Sequence, residues 1–107
     1  GAGHGDIVVP ALINALKDEY KDVRIRAVEA LGKVGVGHGE IVIPVLRNAL
    51  KDEYKNVRIR AVEALGKVGV GHGEIVIPVL RNALKDEYKN VRIRAVEALG
   101  KVGVGHG

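Results

Sequence analysis

Apolar positions along this chain recur with a helical period, and the whole pattern then recurs copy after copy. Between residues 40 and 51, Val42, Val45, Leu46, Ala49 and Leu50 form an i, i+3, i+4, i+7, i+8 stripe. Ile41 and Ile43 widen the stripe on both flanks, while Arg47, Asn48 and Lys51 occupy the remaining face. The pattern predicts a first helix over roughly residues 40–51. Pro44 is expected within about its first turn, where a missing N–H costs least, which moves the expected start toward Ile43. A second helix is predicted over roughly residues 55–68. There Val57, Ala61, Ala64, Leu65 and Val68 make one stripe, and Ile59, Val62 and Gly66 a second. Only Asn56, Arg60, Glu63 and Lys67 remain as a narrow polar strip, with Glu63 to Lys67 in the favourable i, i+4 orientation. Gly69 is expected to end this helix in a left-handed cap. Both helices are too apolar around their circumference for a lone hairpin, so each needs a neighbour on two sides, as in a stacked solenoid.

The repetition sets the organisation. Residues 37–70 and 71–104 are identical, and residues 3–36 differ from them at five places: Asp6 for Glu40, Val9 for Ile43, Ala11 for Val45, Ile13 for Arg47 and Asp22 for Asn56. The expectation is one all-α domain over residues 1–107, an α-solenoid of three stacked two-helix repeats (3–36, 37–70, 71–104). Residues 105–107 then begin a fourth copy. Identity at this level implies recent duplication or deliberate design. The opening Gly1-Ala2, without methionine, reads as a cleavage scar or an excised fragment.

Composition narrows the chemistry. A chain of 107 residues is long enough for one self-sufficient core. With no cysteine, disulfides and thiolate metal sites are excluded. No apolar run approaches the roughly 20 residues of a membrane helix, so no membrane partner is expected, and a cytoplasmic or engineered origin fits. The net charge of +4 is mildly basic and does not require a nucleic acid. Tyr20, Tyr54 and Tyr88 are the only aromatic residues, fewer than most ligand pockets use.

The stretches P-A-L-I-N-A-L-K-D-E (Pro10 to Glu19) and D-V-R-I-R-A-V-E-A-L-G-K-V-G (Asp22 to Gly35) resemble the HEAT-like repeat of the phycobilisome-lyase type and the artificial arrays built on it. The resemblance covers nearly all of each copy. It implies a right-handed superhelix with the second helix of each pair on the concave side, and it is nearly silent on function. Tetratricopeptide repeats share the 34-residue period, but their aromatic pattern is missing. Two features depart from the family. Tyr-Lys stands where the second helix usually has its Asp cap, often followed by Pro, and the G-V-G-H-G connector is longer than usual.

The connector Gly32–Pro44, with its close glycines, a histidine and a glutamate, invites a phosphate or metal reading. No strand precedes the glycines, no P-loop lysine follows, and Glu40 or Asp6 sits where an anion would go. His4, His38, His72 and His106 recur once per repeat, too far apart across stacked helices to share an ion. The connector therefore reads as a joint, with no metal or cofactor expected. Arg24, Arg58 and Arg92 fall inside the apolar arc of the second helix and must be paired. A structural ladder is expected between them and Asp18, Asp52 and Asp86, or the neighbouring glutamates, within and between copies. Each tyrosine is expected to cover its turn and lie against its neighbour.

No nucleophile, paired carboxylate site or ligand triad can be assembled, so an enzyme is not expected. The leading expectation is a protein- or peptide-binding scaffold that uses Arg26, Glu29 and Lys33 with their equivalents Arg60, Glu63, Lys67 and Arg94, Glu97, Lys101. Identical copies suit a repetitive or extended partner. The alternative is nucleic-acid backbone binding. The second and third copies each carry six Lys/Arg against four Asp/Glu, and the first has five of each, so the basic excess is slight and the reading is disfavoured. The third copy has no polar cap, which leads to an expected homo-oligomer by end-to-end stacking or by swapping of a terminal helix.

Overall fold

Six α-helices follow one another in three pairs in a computed structural model that describes residues 4–106. They are α1 (Gly5–Ala15), α2 (Lys21–Val34), α3 (Gly39–Ala49), α4 (Lys55–Val68), α5 (Gly73–Ala83) and α6 (Lys89–His106). The Gly1-Ala2 scar reading and Gly107, the last residue of the short fourth copy, lie outside the described residues. Among those described there is no strand, and the pairs stack into an all-α solenoid.

The helices lie in two layers. In the first, α2, α4 and α6 lie closely side by side; in the second, α1, α3 and α5 each rest mainly on the other helix of their own pair. A layer that is tight on one side and open on the other curves, which puts α2, α4 and α6 on the inner side. Small residues permit the tight side. A Cβ on Gly32 would lie 3.0 Å from the Ala64 Cβ, and one on Gly66 would lie 3.0 Å from the Ala98 Cβ. The core runs between the layers, with Leu31, Leu46, Leu65 and Leu80 completely buried. Each such side chain contributes about 1.5–3 kcal/mol by leaving water. The middle pair is covered on both sides, and α4 is correspondingly the most buried helix.

Local chemistry sets the joints. The turn from α3 to α4 closes when the Tyr54 N–H donates to Asp52 Oδ1 at 2.9 Å, and the same bond forms at Tyr20 and Tyr88. This short aspartate turn replaces a side-chain cap: Tyr54 is the extended N-cap of α4, and its side chain caps nothing. The connector between pairs is a joint whose histidine fills a glycine notch. The His38 ring sits over Gly5, where an added Cβ would be 2.5 Å from Nε2, and His72 sits over Gly39 in the same way.

Two local expectations are corrected. Gly69 is not left-handed: it continues right-handed at φ −76°. The positive φ falls two residues later, at Gly71 (+86°) and its equivalent Gly37 (+91°). Gly69 is instead required by close approach, because a Cβ there would lie 2.5 Å from the Leu65 carbonyl oxygen and 2.9 Å from a Val76 methyl. In α6 the equivalent Gly103 has nothing against it among the described residues, and the helix continues to His106. Pro44 lies in the second turn of α3 rather than the first, since that helix already begins at Gly39. Only a helix that includes Val42 and Ile43 turns both into the core, where they are 0% and 1% exposed. Pro44 itself faces solvent.

Candidate functional site

The polar strips of α2, α4 and α6 form one continuous ladder across the inner layer. Arg26 Nη1 meets Glu29 Oε1 at 3.0 Å, and the other oxygen of Glu29 lies 3.0 Å from Arg60 Nε in the next pair. Arg60 Nη1 then meets Glu63 at 2.9 Å, Glu63 lies 3.2 Å from Arg94 Nε, and Arg94 Nη1 meets Glu97 at 3.1 Å. The Nε contacts are ion pairs without hydrogen-bond alignment, so the buried Nε–H groups of Arg60 and Arg94 have no acceptor. The hydrogen bond from Arg26, helped by the charges of Arg26, Arg60 and Lys33, outweighs desolvation and holds the Glu29 carboxyl below its usual range.

The structure thus brings six of the nine candidate binding residues into one alternating row. Lys33, Lys67 and Lys101 stay outside it and are exposed. Glu63 pairs with Arg60 and Arg94, not with Lys67. Between successive rungs lie shallow clefts, one of them bounded by Glu29, Lys33, Arg60, Glu63 and Lys67. The pairing between copies was missed by helix-wheel reasoning. It was encoded in the period: parallel helices in equivalent positions put residue i beside residue i+34, so Glu29 faces the copy that carries Arg60.

At the other end of the same helices lies a second row. Arg24 Nε donates to Asp52 Oδ2 at 2.8 Å and Nη2 donates to Oδ1 at 3.3 Å, while Nη1 donates to the main-chain carbonyls of Asp18 and Glu19. Arg58 repeats this arrangement with Asp86 and the carbonyls of Asp52 and Glu53. The carboxylate contact is therefore always to the following copy, and within a copy the arginine holds only backbone. Both pairs are largely withdrawn from water. The Tyr54 ring lies 5.8 Å from the Arg24 guanidinium and 5.0 Å from Lys21 Nζ, and Tyr88 covers Arg58 and Lys55 likewise. These cation–π contacts cover the ion pairs. Asp18 and Arg92 stand at the two ends of the row, with no such partner among the described residues.

A groove opens between the first two helical pairs. Ile13, Leu16, Pro44, Val45 and Ala49 line it where α1 and α3 diverge, with Lys17 at its edge. Ile13 makes it more apolar than the next interval, where Arg47 takes that place. Among the described residues no three His, Asp or Glu side chains converge as a metal site would need.

The helical pairs, the V-R-I-R-A-V-E-A-L-G core of each second helix and the tight inner layer all belong to one repeat type. The family model for HEAT repeats matches residues 9–100. The chain belongs to the HEAT-repeat family. No curated protein matches it. HEAT repeats generally serve as protein-interaction scaffolds and are a non-catalytic type. No helix of this HEAT array, among the described residues, is long and apolar enough to cross a membrane.

Proposed function

We propose that this HEAT array is a non-enzymatic scaffold whose inner face, formed by α2, α4 and α6, takes an extended protein or peptide. One observation carries the reading: the same Arg, Glu and Lys side chains face outward at each step of that layer, with a cleft at each interval. A partner with charged side chains at matching spacing would meet equivalent chemistry three times. The exposed Lys33, Lys67 and Lys101 supply the uncompensated charge. Hydrogen-exchange footprinting with a panel of extended acidic peptides tests this. Protection should fall on α2, α4 and α6 and disappear when all three lysines become alanine. Protection confined to α1, α3 and α5 would sink the proposal.

The alternative of nucleic-acid backbone binding has less support, because Arg60 and Arg94 each lie between two carboxylates. Steeply salt-dependent DNA binding would restore it, and no binding at low salt removes it.

A second activity, self-association through the ends, is favoured by a different observation. Val57 is 1% exposed where a preceding pair covers it, but its equivalent Val23 is 39% exposed. Val62 is 0% exposed where a following pair covers it, and its equivalent Val96 is 61% exposed. Each end of the stack thus displays apolar groups that an adjoining repeat would bury. Light scattering over a concentration series tests this: a strictly monomeric mass at high concentration defeats it.

A further inference from the structure

We propose that a second copy of this chain docks head to tail in the same register as successive repeats within it, and that Arg92 of one copy and Asp18 of the next fix that register. The inference rests on the self-association reading above and specifies its contact.

The two residues are complementary halves of a pair already built twice. Asp18 is preset as Asp52 and Asp86 are, its Oδ1 taking the Tyr20 N–H at 2.9 Å. Asp52 and Asp86 also receive a guanidinium fork from the preceding pair. For Asp18 no preceding pair is present among the described residues. Arg92 mirrors this: its Nη1 donates to the Asp86 carbonyl at 2.6 Å, as Arg58 donates to Asp52. Its Nε and Nη2, the atoms that grip the carboxylate in Arg24 and Arg58, have no partner among the described residues. Arg58 is 8% exposed, whereas Arg92 lies open.

The surroundings fit the same superposition. The inner ladder ends in Arg26 at one end and Glu97 at the other, opposite charges that repeat the Glu29–Arg60 contact when brought together. Gly100 has nothing within 4 Å of its Cβ position. Its equivalents Gly32 and Gly66 each receive an alanine of the next pair, and Ala30 is the matching residue of the incoming copy. Ile93 and Val96 at one end and Val23 at the other are exposed, whereas their equivalents Ile59, Val62 and Val57 are buried, and docking would cover them in the same way. Tyr20 is 67% exposed against 43% for Tyr54, and docking lays it over Arg92 as Tyr54 lies over Arg24. The contact is heterologous and uses different faces on each copy, so it propagates rather than stopping at a dimer.

The test is a charge exchange followed by sedimentation over a concentration series, with circular dichroism on each full-length chain. Asp18→Arg and Arg92→Asp should each place like charges at the junction and weaken association at least ~10-fold. An equimolar mixture of the two variants pairs Arg92 with Asp18 at one junction and the exchanged charges at the next, so it should regain the lost mass. Single variants that assemble as the parent does would overturn the register while leaving end stacking in place through another route, such as helix swapping. Loss without recovery in the mixture would also overturn it. A parent chain that stays monomeric throughout removes both the register and the stacking on which it rests.

Discussion

Arg58 grips Asp86, 28 residues further on and in the next helical pair, through Nε–Oδ2 at 2.8 Å and Nη2–Oδ1 at 3.2 Å. With the side chains 10% and 14% exposed, removing one partner strands a buried charge. Arg58→Ala is expected to cost about 3 kcal/mol in chemical denaturation. A double-mutant cycle with Asp86→Ala should show coupling of about 1 kcal/mol or more. The cycle of Arg58 with Asp52→Ala should show much less, because Arg58 donates to the Asp52 main-chain carbonyl, which the substitution retains. Equal coupling in both cycles would contradict the geometry.

Acid should weaken the array through the same aspartate. Burial pushes the Asp86 carboxyl up, but the hydrogen bonds from Arg58 and the Tyr88 N–H and the charges of Arg58 and Arg92 together hold it below its ordinary value. A carboxylate depressed in the folded state adds stability that is complete above the unfolded-state pKa of about 3.9 and is lost as pH falls through the lower folded value. Denaturation midpoints should therefore drop below about pH 4. Asp86→Asn should be less stable at pH 7 and flatter in that acid range. A variant with the parent's full acid slope would place the proton elsewhere.

The helical periods, the burial of Val57, Ala61 and Leu65, and the need for neighbours on two sides were all legible from apolar spacing. The carboxylate that each arginine takes was not. Asp52 and Asp86 have identical sequence surroundings, and only the lateral offset between pairs decides which lies in front of Arg58. Gly69 misled for a related reason. A glycine after a helix ordinarily marks a left-handed residue, but here the constraint is the close approach of the Leu65 carbonyl and of Val76 from the next helix, and the second of these is a contact no local pattern reports. The outer groove depends on how far α1 and α3 diverge, which the tight Gly–Ala contacts of the opposite layer determine.

The connector glycines should respond differently to alanine. At Gly71, φ is +86° and nothing lies within 4 Å of an added Cβ, so the cost is backbone strain alone, about 1–2 kcal/mol. At Gly69 the backbone is right-handed, but the Cβ meets the Leu65 carbonyl oxygen at 2.5 Å and both Val76 methyls at 2.9 and 3.0 Å. Replacing Val76 by alanine as well should recover part of the loss at Gly69 and none at Gly71. Thermal midpoints of the single and double variants separate the two causes, and rescue at Gly71 would show the assignment to be wrong.

Gly66 and Gly100 occupy equivalent places in α4 and α6, yet alanine should act on them with opposite sign. In the interior of a helix, alanine is favoured over glycine by roughly 1 kcal/mol. At Gly100 nothing opposes that gain, since no atom lies within 4 Å of the new Cβ, and Gly100→Ala should raise the stability of the single chain. At Gly66 the Cβ would stand 3.0 Å from the Ala98 Cβ and 3.2 Å from its Cα. Those atoms belong to the backbone and its first carbon, so no rotamer change relieves the contact, and α4 and α6 must separate. Overpacking of this kind costs about 1–3 kcal/mol, which exceeds the gain and makes Gly66→Ala destabilising. If copies dock in register, Gly100 meets Ala30 as Gly66 meets Ala98. Gly100→Ala should then stabilise the chain at low concentration while weakening its assembly at high concentration. Denaturation midpoints and sedimentation on the same variant read the two effects separately, and an alanine that strengthened both would exclude the close Gly–Ala approach between copies.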